Sequence, residues 1–222
     1  RWRRTEWTAG GADPAEPGRT VVVHVRDVSD EQELAESLRP AAHQDRLTGL
    51  ANRRGLRSAG DAADTGALIV LELGGLTAIN DVHGPDLAEM VLVEVARRLR
   101  TRVEPTDVPA RIGDTRFAVL TRGGAIRAHV LASRLITVLT APYPAGGAEA
   151  HVSVWAGLAD VTLDAGFDEA MRRAALALRA IRSGPPGAAE WYDEEMEDRL
   201  VRRSTLEQDL PGAVTRGQLD LS

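Results

Sequence analysis

Residues Arg111 to Phe117 (RIGDTRF) gather two guanidiniums, a carboxylate and a hydroxyl in one short stretch. Strand-like runs flank it, Val108-Pro109-Ala110 before and Phe117-Ala118-Val119-Leu120 after. Gly113-Asp114 is a two-residue turn signal, so the stretch reads as the tip of a β-hairpin. Chemistry at such a tip turns on its charges. Carboxylates hold a hard cation such as Mg²⁺, and guanidiniums do not. In a hairpin, a shift of one residue turns a side chain to the opposite face, so Asp114 and Thr115 are expected to serve opposite sides. The chain has no Cys, which excludes disulfides and thiolate metal sites.

The elements that must position this tip alternate in type. Ala67 to Leu73 is a short apolar run with the pattern of a buried strand. Leu87 to Leu99 is amphipathic, with Leu92, Val95, Ala96 and Leu99 on one face. Ala125 to Leu139 reads as a helix stopped by Pro142 and Pro144. His151 to Ala159 reads as a strand, and Phe167 to Arg182 as a helix ended by Gly184-Pro185-Pro186. Helices and strands in alternation, with one antiparallel hairpin among them, predict an α/β fold with a mixed sheet. The 222 residues suffice for one such domain plus flanking pieces. A net charge of −6 predicts no strong polyanion-binding surface and no nucleic-acid partner. No apolar run approaches the roughly 18–20 residues needed to span a bilayer, so no membrane contact is expected of this fragment. The lack of Cys fits a reducing, cytoplasmic setting, and a parent protein could still be membrane-anchored.

Asp45 to Arg54 (DRLTGLANRR) resembles the opening motif D-x-L-T-G-L-x-N-R-R of GGDEF domains, the diguanylate cyclases. Locally, Thr48-Gly49 ends an incoming helix and Asn52 can N-cap the next. Glu72 to Glu89 is similar to the family's D-x-D-x-F-K-x-x-N-D-x-x-G-H-x-x-G-D, with Asn80, Asp81 and Gly84 matching. Glu72 stands for the first metal-binding Asp and Glu89 for the last Asp, while Leu76, Thr77 and Pro85 replace Phe, Lys and His. The hairpin tip resembles the family signature R-x-G-G-D/E-E-F. Arg111, Gly113 and Phe117 match, Asp114 takes the second Gly, Thr115 the metal-binding acid and Arg116 the following Glu. Ala174 to Arg182 is similar to A-D-x-A-L-Y-x-A-K, with Arg182 in place of the Lys.

The resemblance implies a nucleotidyl cyclase-like fold, a central mixed sheet surrounded by helices with the hairpin carrying the signature. It implies a reaction that joins two GTP into cyclic di-GMP across a homodimer, with Mg²⁺ neutralising charge on the transferring phosphates. It makes Asn80, Glu89, Gly113 and Arg182 the candidate GTP contacts and Glu72 the candidate metal ligand, with Mg²⁺ accompanying any bound GTP. The plainer readings stay open: Asn80-Asp81 as a loop capping a helix from Pro85, Glu89 as a solvated acid, Arg182 as a surface cation near a helix end. The family's product-inhibition pattern R-x-x-D retains Asp107 but has Glu104 at the Arg position, and a carboxylate repels phosphate. Product feedback is therefore not expected.

The flanks carry looser resemblances. Residues 1–28 are similar to the end of a PAS domain and 29–45 to a signalling helix. Residues 46–192 form the GGDEF-like part, and 193–222 a linker leading into the first helix of an EAL domain. Three functions follow: a non-catalytic relay of sensor state or GTP occupancy to a downstream EAL phosphodiesterase, a weakly active metal-dependent cyclase, or a dimerisation spacer that binds no nucleotide. Dimerisation is expected through the signalling helix or the GGDEF-like domain itself.

Overall fold

A change of hydrophobic period at nearly every turn divides the chain into short elements. The computed structural model describes residues 5–9, 23–27, 42–145 and 148–199. They fall in two compact units, residues 1–42 and 43–222. In the first, β1 (Thr5–Ala9) pairs antiparallel with β2 (Val23–Asp27), Thr5 opposite Asp27. The predicted signalling helix lies largely outside the described residues, as does the EAL-like stretch beyond a helical segment at 194–199.

The second unit opens with α1 (Arg53–Asp61), capped as expected by Asn52, whose side chain accepts from the Gly55 N–H at 2.9 Å. The apolar run expected as a strand becomes β3 (Thr65–Gly74), followed by α2 (Leu76–His83) and α3 (Pro85–Arg100). Then come β4 (Val108–Arg111), β5 (Arg116–Thr121), α4 (Ala125–Leu139), the small hairpin β6 (Tyr143–Ala145) with β7 (Ala148–Ala150), β8 (Ser153–Thr162), α5 (Gly166–Ile181) and β9 (Ala189–Trp191). Five strands form one sheet in the order β4-β5-β3-β8-β9. All pairings are antiparallel except β8 with β9, so the sheet is mixed.

β3 is central and covered on both faces, which is why its apolar run is continuous rather than alternating. Ile69, Leu71 and Leu73 pack with Val95 and Leu99 of α3 and Leu135 of α4. Leu68 and Val70 pack on the other face with Leu56 of α1 and Phe167 and Leu178 of α5. Each such side chain contributes about 1.5–3 kcal/mol when fully buried. Helix α5 lies directly on β8 at Gly157, where a Cβ would overlap the Ala174 carbonyl oxygen and the Leu178 nitrogen. Among the described residues no helix is long and apolar enough to cross a membrane.

Two local expectations change. Asn80-Asp81 form no loop but sit inside α2, and the cap of α3 is Gly84 with Pro85 at the first helical position. Nor does Gly113-Asp114 make a two-residue turn. Arg111 pairs with Phe117 and the Ile112 N–H donates to the Arg116 carbonyl at 2.9 Å, leaving a three-residue tip, 113–115. Gly113 does not have a positive φ, whereas the two-residue type I′ turn needs one at both central positions.

Candidate functional site around Glu72

The opening motif builds the floor beneath the hairpin. Asp45 accepts from the Thr48 N–H at 2.9 Å and from the Thr48 hydroxyl at 2.7 Å. Arg111 reaches back to both Asp45 oxygens at 3.4 Å, and its other nitrogen donates to the Asp114 carbonyl at 3.0 Å. The Arg111 N–H donates to the Ala51 carbonyl at 2.8 Å. Partial burial alone would raise the Asp45 carboxyl, but the Thr48 hydrogen bonds and the Arg111 charge outweigh it and hold the group below its ordinary value. Asp45 and Arg111, motif residues far apart in the chain, thus tie the hairpin to the chain entering α1.

Glu72 lies near the end of β3, opposite Arg116 on β5 and Trp155 on β8. Residues opposite one another in a ladder share a face, so the three side chains stand in a row. One Glu72 oxygen accepts from Arg116 Nε at 3.2 Å, and the other accepts from Arg182 Nη1. The Glu72 side chain is 8% exposed, while those of Arg116 and Arg182 are 54% and 47% exposed. Arg182 is the C-cap of α5, and its guanidinium stands 5.6 Å from the Trp155 ring centroid. Gly74 makes room for that ring, since a Cβ there would lie 2.8 Å from it.

Glu72, Arg116 and Arg182 form one end of a cleft of about 730 Å³. Arg53, Arg172 and Arg179 also line it, with Val70, Ile112 and Leu178 among its apolar residues. Arg172 is tied to Glu169 and Glu197 at 2.8–2.9 Å. Among the described residues, Arg53 and Arg179 make no ion pair. The acidic net charge of the chain thus conceals a local concentration of five arginines around one carboxylate.

The structure brings Glu72 and Arg182 together but leaves the other candidates elsewhere. Gly113 and Asp114 are exposed at the hairpin tip. Thr115 contributes its backbone, accepting from the Leu73 N–H at 3.0 Å. Asn80 and Glu89 are exposed on α2 and α3 and line no part of this cleft. Glu89 instead borders a second hollow of about 610 Å³ with Leu47, Met90 and Tyr143. Among the described residues, no three His, Asp or Glu side chains are grouped so as to hold a metal ion.

Asp107, at the product-inhibition position, is occupied by the protein itself. Its side chain is fully buried, and Arg127 from α4 binds its two oxygens at 3.1 and 3.0 Å. The Glu104 N–H adds a bond at 3.0 Å, and the Glu104 carboxylate meets Arg127 at 2.9 Å. Burial would raise the Asp107 carboxyl, but Arg127 and the backbone donor win and hold it below its ordinary value.

Reading the sequence alone missed Arg53, Arg179 and Trp155. A signal existed for part of this: Arg172, Arg179 and Arg182 recur at helical spacing and so share a face of α5.

The model of the diguanylate cyclase GGDEF domain matches residues 42–185 of the chain. The chain belongs to the GGDEF family. Its mixed sheet flanked by helices is the nucleotidyl cyclase-like α/β fold of diguanylate cyclase structures. This GGDEF domain chain is 32% identical over 221 residues to an uncharacterized signalling protein of Caulobacter vibrioides, covering 94% of this chain and 27% of that protein. It is 28% identical over 202 residues to the cyclic di-GMP phosphodiesterase PdeR of Escherichia coli, covering 87% and 30% of the two. A solved sensory box/GGDEF family protein from Caulobacter crescentus superposes with a TM-score of 0.59 at 35% identity, covering 64% of this chain and 99% of that one. The chain spans 27% and 30% of the two curated relatives' length.

Proposed function

We propose that this GGDEF domain makes no cyclic di-GMP and instead relays sensor state or nucleotide occupancy to a downstream EAL phosphodiesterase in its parent protein. The observation that carries this reading is the state of Glu72, whose two oxygens accept from Arg116 and Arg182. Magnesium needs carboxylate oxygens in near-octahedral array, and the family's transfer step needs the ion. The residues present do not suit it. Glu72 is engaged by two cations, Thr115 brings no charge at the second ligand position, and Arg116 brings the wrong one.

The surroundings support a changed job rather than a broken fold. Phe117 is fully buried and the Asp45–Arg111 tie holds the hairpin in place. Asp107 is sequestered by Arg127, which supports the loss of product feedback. The likeness to PdeR, named as a phosphodiesterase, supports the relay, and the Caulobacter relative aligns beyond residues 42–185 into both flanks.

The test is cyclic di-GMP formation from GTP with Mg²⁺ or Mn²⁺. No product is expected from the full chain. Turnover that disappears in Glu72→Ala would overturn the proposal.

A further inference from the structure

We infer that the exposed face of α3 is a docking surface for a second copy of this chain, the two α3 helices packing antiparallel about a two-fold axis at Val93. The inference goes beyond the non-catalytic reading and does not depend on it.

Periodicity defines the face. Asp86, Glu89, Met90, Val93, Arg97 and Arg100 recur at spacings of three and four, so they form one stripe along the helix. All six are exposed, while Val91, Leu92, Val95, Ala96 and Leu99 fill the opposite face and join the core. Met90 is 61% exposed and Val93 43%. Neighbouring apolar side chains in the middle of an otherwise charged stripe have the pattern of a contact centre with a polar rim. The hollow of about 610 Å³ that Met90 and Val93 share with Leu47, Tyr143 and Pro144 widens this apolar ground.

Charge selects the partner. The N-terminal half of the stripe carries Asp86 and Glu89, and the C-terminal half carries Arg97 and Arg100. The helix macrodipole accounts for acids first and cations last, but not for Met90 and Val93 left in water between them. Asp86 and Arg100 each lie seven residues from Val93, and Glu89 and Arg97 each lie four. With a second copy turned antiparallel so that Val93 faces Val93, Asp86 therefore meets the second copy's Arg100, and Glu89 its Arg97. At about 1.5 Å per residue, these pairs stand roughly 10 and 6 Å from the axis, and the two-fold repeats each of them. A parallel pairing would set acid against acid and cation against cation.

The charged groups are available. Asp86 and Glu89 are exposed and, among the described residues, in no ion pair. The Arg97 side chain is 64% exposed and holds Glu94 of its own helix at 2.6 Å, an exposed pair that contributes little. Arg100 donates Nη2 to the Thr48 carbonyl at 2.7 Å, which steadies the side chain. One helix on one helix falls at the low end of interface areas, below about 1,200 Å², so dissociation is expected on the order of 100 μM. A contact that weak responds to how closely the rest of a parent protein holds two copies.

The experiment is analytical ultracentrifugation of the 222-residue chain at concentrations spanning the expected dissociation constant. A monomer–dimer equilibrium is expected, weaker as salt rises. Val93→Glu should weaken it at least about tenfold, because symmetry sets the two introduced acids face to face. Glu89→Arg and Arg97→Glu should each weaken self-association about tenfold. Mixed together, those two variants should form a heterodimer about as tight as wild type, since every pair then joins opposite charges. All three positions are exposed, so each variant should melt within a few degrees of wild type. A chain that stays monomeric would overturn the inference. So would a dimer that Val93→Glu leaves intact, which would lie on another face. Folded single variants that fail to recover affinity on mixing would overturn the antiparallel register. Cyclic di-GMP formation, which tests the proposed function, is read separately from all of these outcomes.

Discussion

Glu72 and Arg116 are direct partners across the β3–β5 ladder, with Arg116 Nε 3.2 Å from the buried Glu72 carboxylate. Opposite charges facing one another across a ladder contribute about 0.2–1 kcal/mol, and like charges there destabilise. The pair does more than decorate the sheet, because without a cation the buried acid would stand uncompensated.

Reversing that charge is the sharpest check on the site. Thr115→Asp with Arg116→Glu sets an acid opposite Glu72 and a second beside it. Without metal, this variant should unfold at lower urea, by about 1–2 kcal/mol, since Arg182 still holds one Glu72 oxygen. Millimolar Mg²⁺ or Mn²⁺ should raise its melting temperature by several degrees and leave wild type unmoved. Equal responses in both proteins would show that Arg116 does not exclude the cation.

Removing the buried acid of the Asp107–Arg127 pair should cost more than any surface pair. The Asp107 side chain is fully buried, and Arg127 is 32% exposed, so the orphaned cation can partly reach water. Asp107→Asn is therefore expected to lose about 2 kcal/mol, below the 3–5 kcal/mol typical of a fully enclosed pair. Urea unfolding measures it. A loss under about 0.5 kcal/mol would mean the pair holds nothing.

Acid should expose the same groups. The Asp45 and Asp107 carboxyls are held below their ordinary values in the fold, and an unfolded Asp titrates near ~3.9. A depressed carboxyl contributes stability that is whole above the unfolded value and lost as pH falls through the folded one. Glu94 and Glu169, each lowered to about 2 by hydrogen bonds led by Arg97 and Arg172, act in the same direction. The urea midpoint should be flat from pH 7 to about 5 and fall steadily towards pH 2. Asp107→Asn should flatten part of that fall, and high salt should remove the share owed to the two exposed-side glutamates. An unchanged acid limb in Asp107→Asn would contradict the assignment.

Two glycines should answer oppositely to the same substitution. A Cβ at Gly113 would meet only Arg116 Cβ at 3.5 Å, and the residue has no positive φ. Gly113→Ala should stay within about 0.5 kcal/mol of wild type. A Cβ at Gly157 would collide with the backbone of α5, so Gly157→Ala should cost about 2 kcal/mol or more. Thermal melts of the two variants side by side decide this.

Much of the fold was legible because its signals are local. Helix α4 spans Ala125–Leu139 as expected, since its apolar stripe runs between Gly124 and Pro142. The Asn52 cap needs only a side chain three residues before the N–H it accepts. The alternation of helix and strand predicts the mixed sheet, and the opening motif marks the family.

The site is another matter. Glu72 finds Arg116 at 44 residues' separation and Arg182 at 110. No local period encodes those meetings; strand register and the packing of α5 on β8 create them. The same holds for the hairpin tip, where the pairing of Arg111 with Phe117 leaves five residues between the partners, although the dipeptide Gly113-Asp114 suggested a two-residue turn. Net charge says little about clefts, because it averages a surface that folding makes uneven. The sequence by itself determined the elements, the family and the substituted residues at the signature. Only the tertiary structure decided that Glu72 would be held by two arginines, because burial obliges a carboxylate to find its counter-charge among whatever the fold brings near.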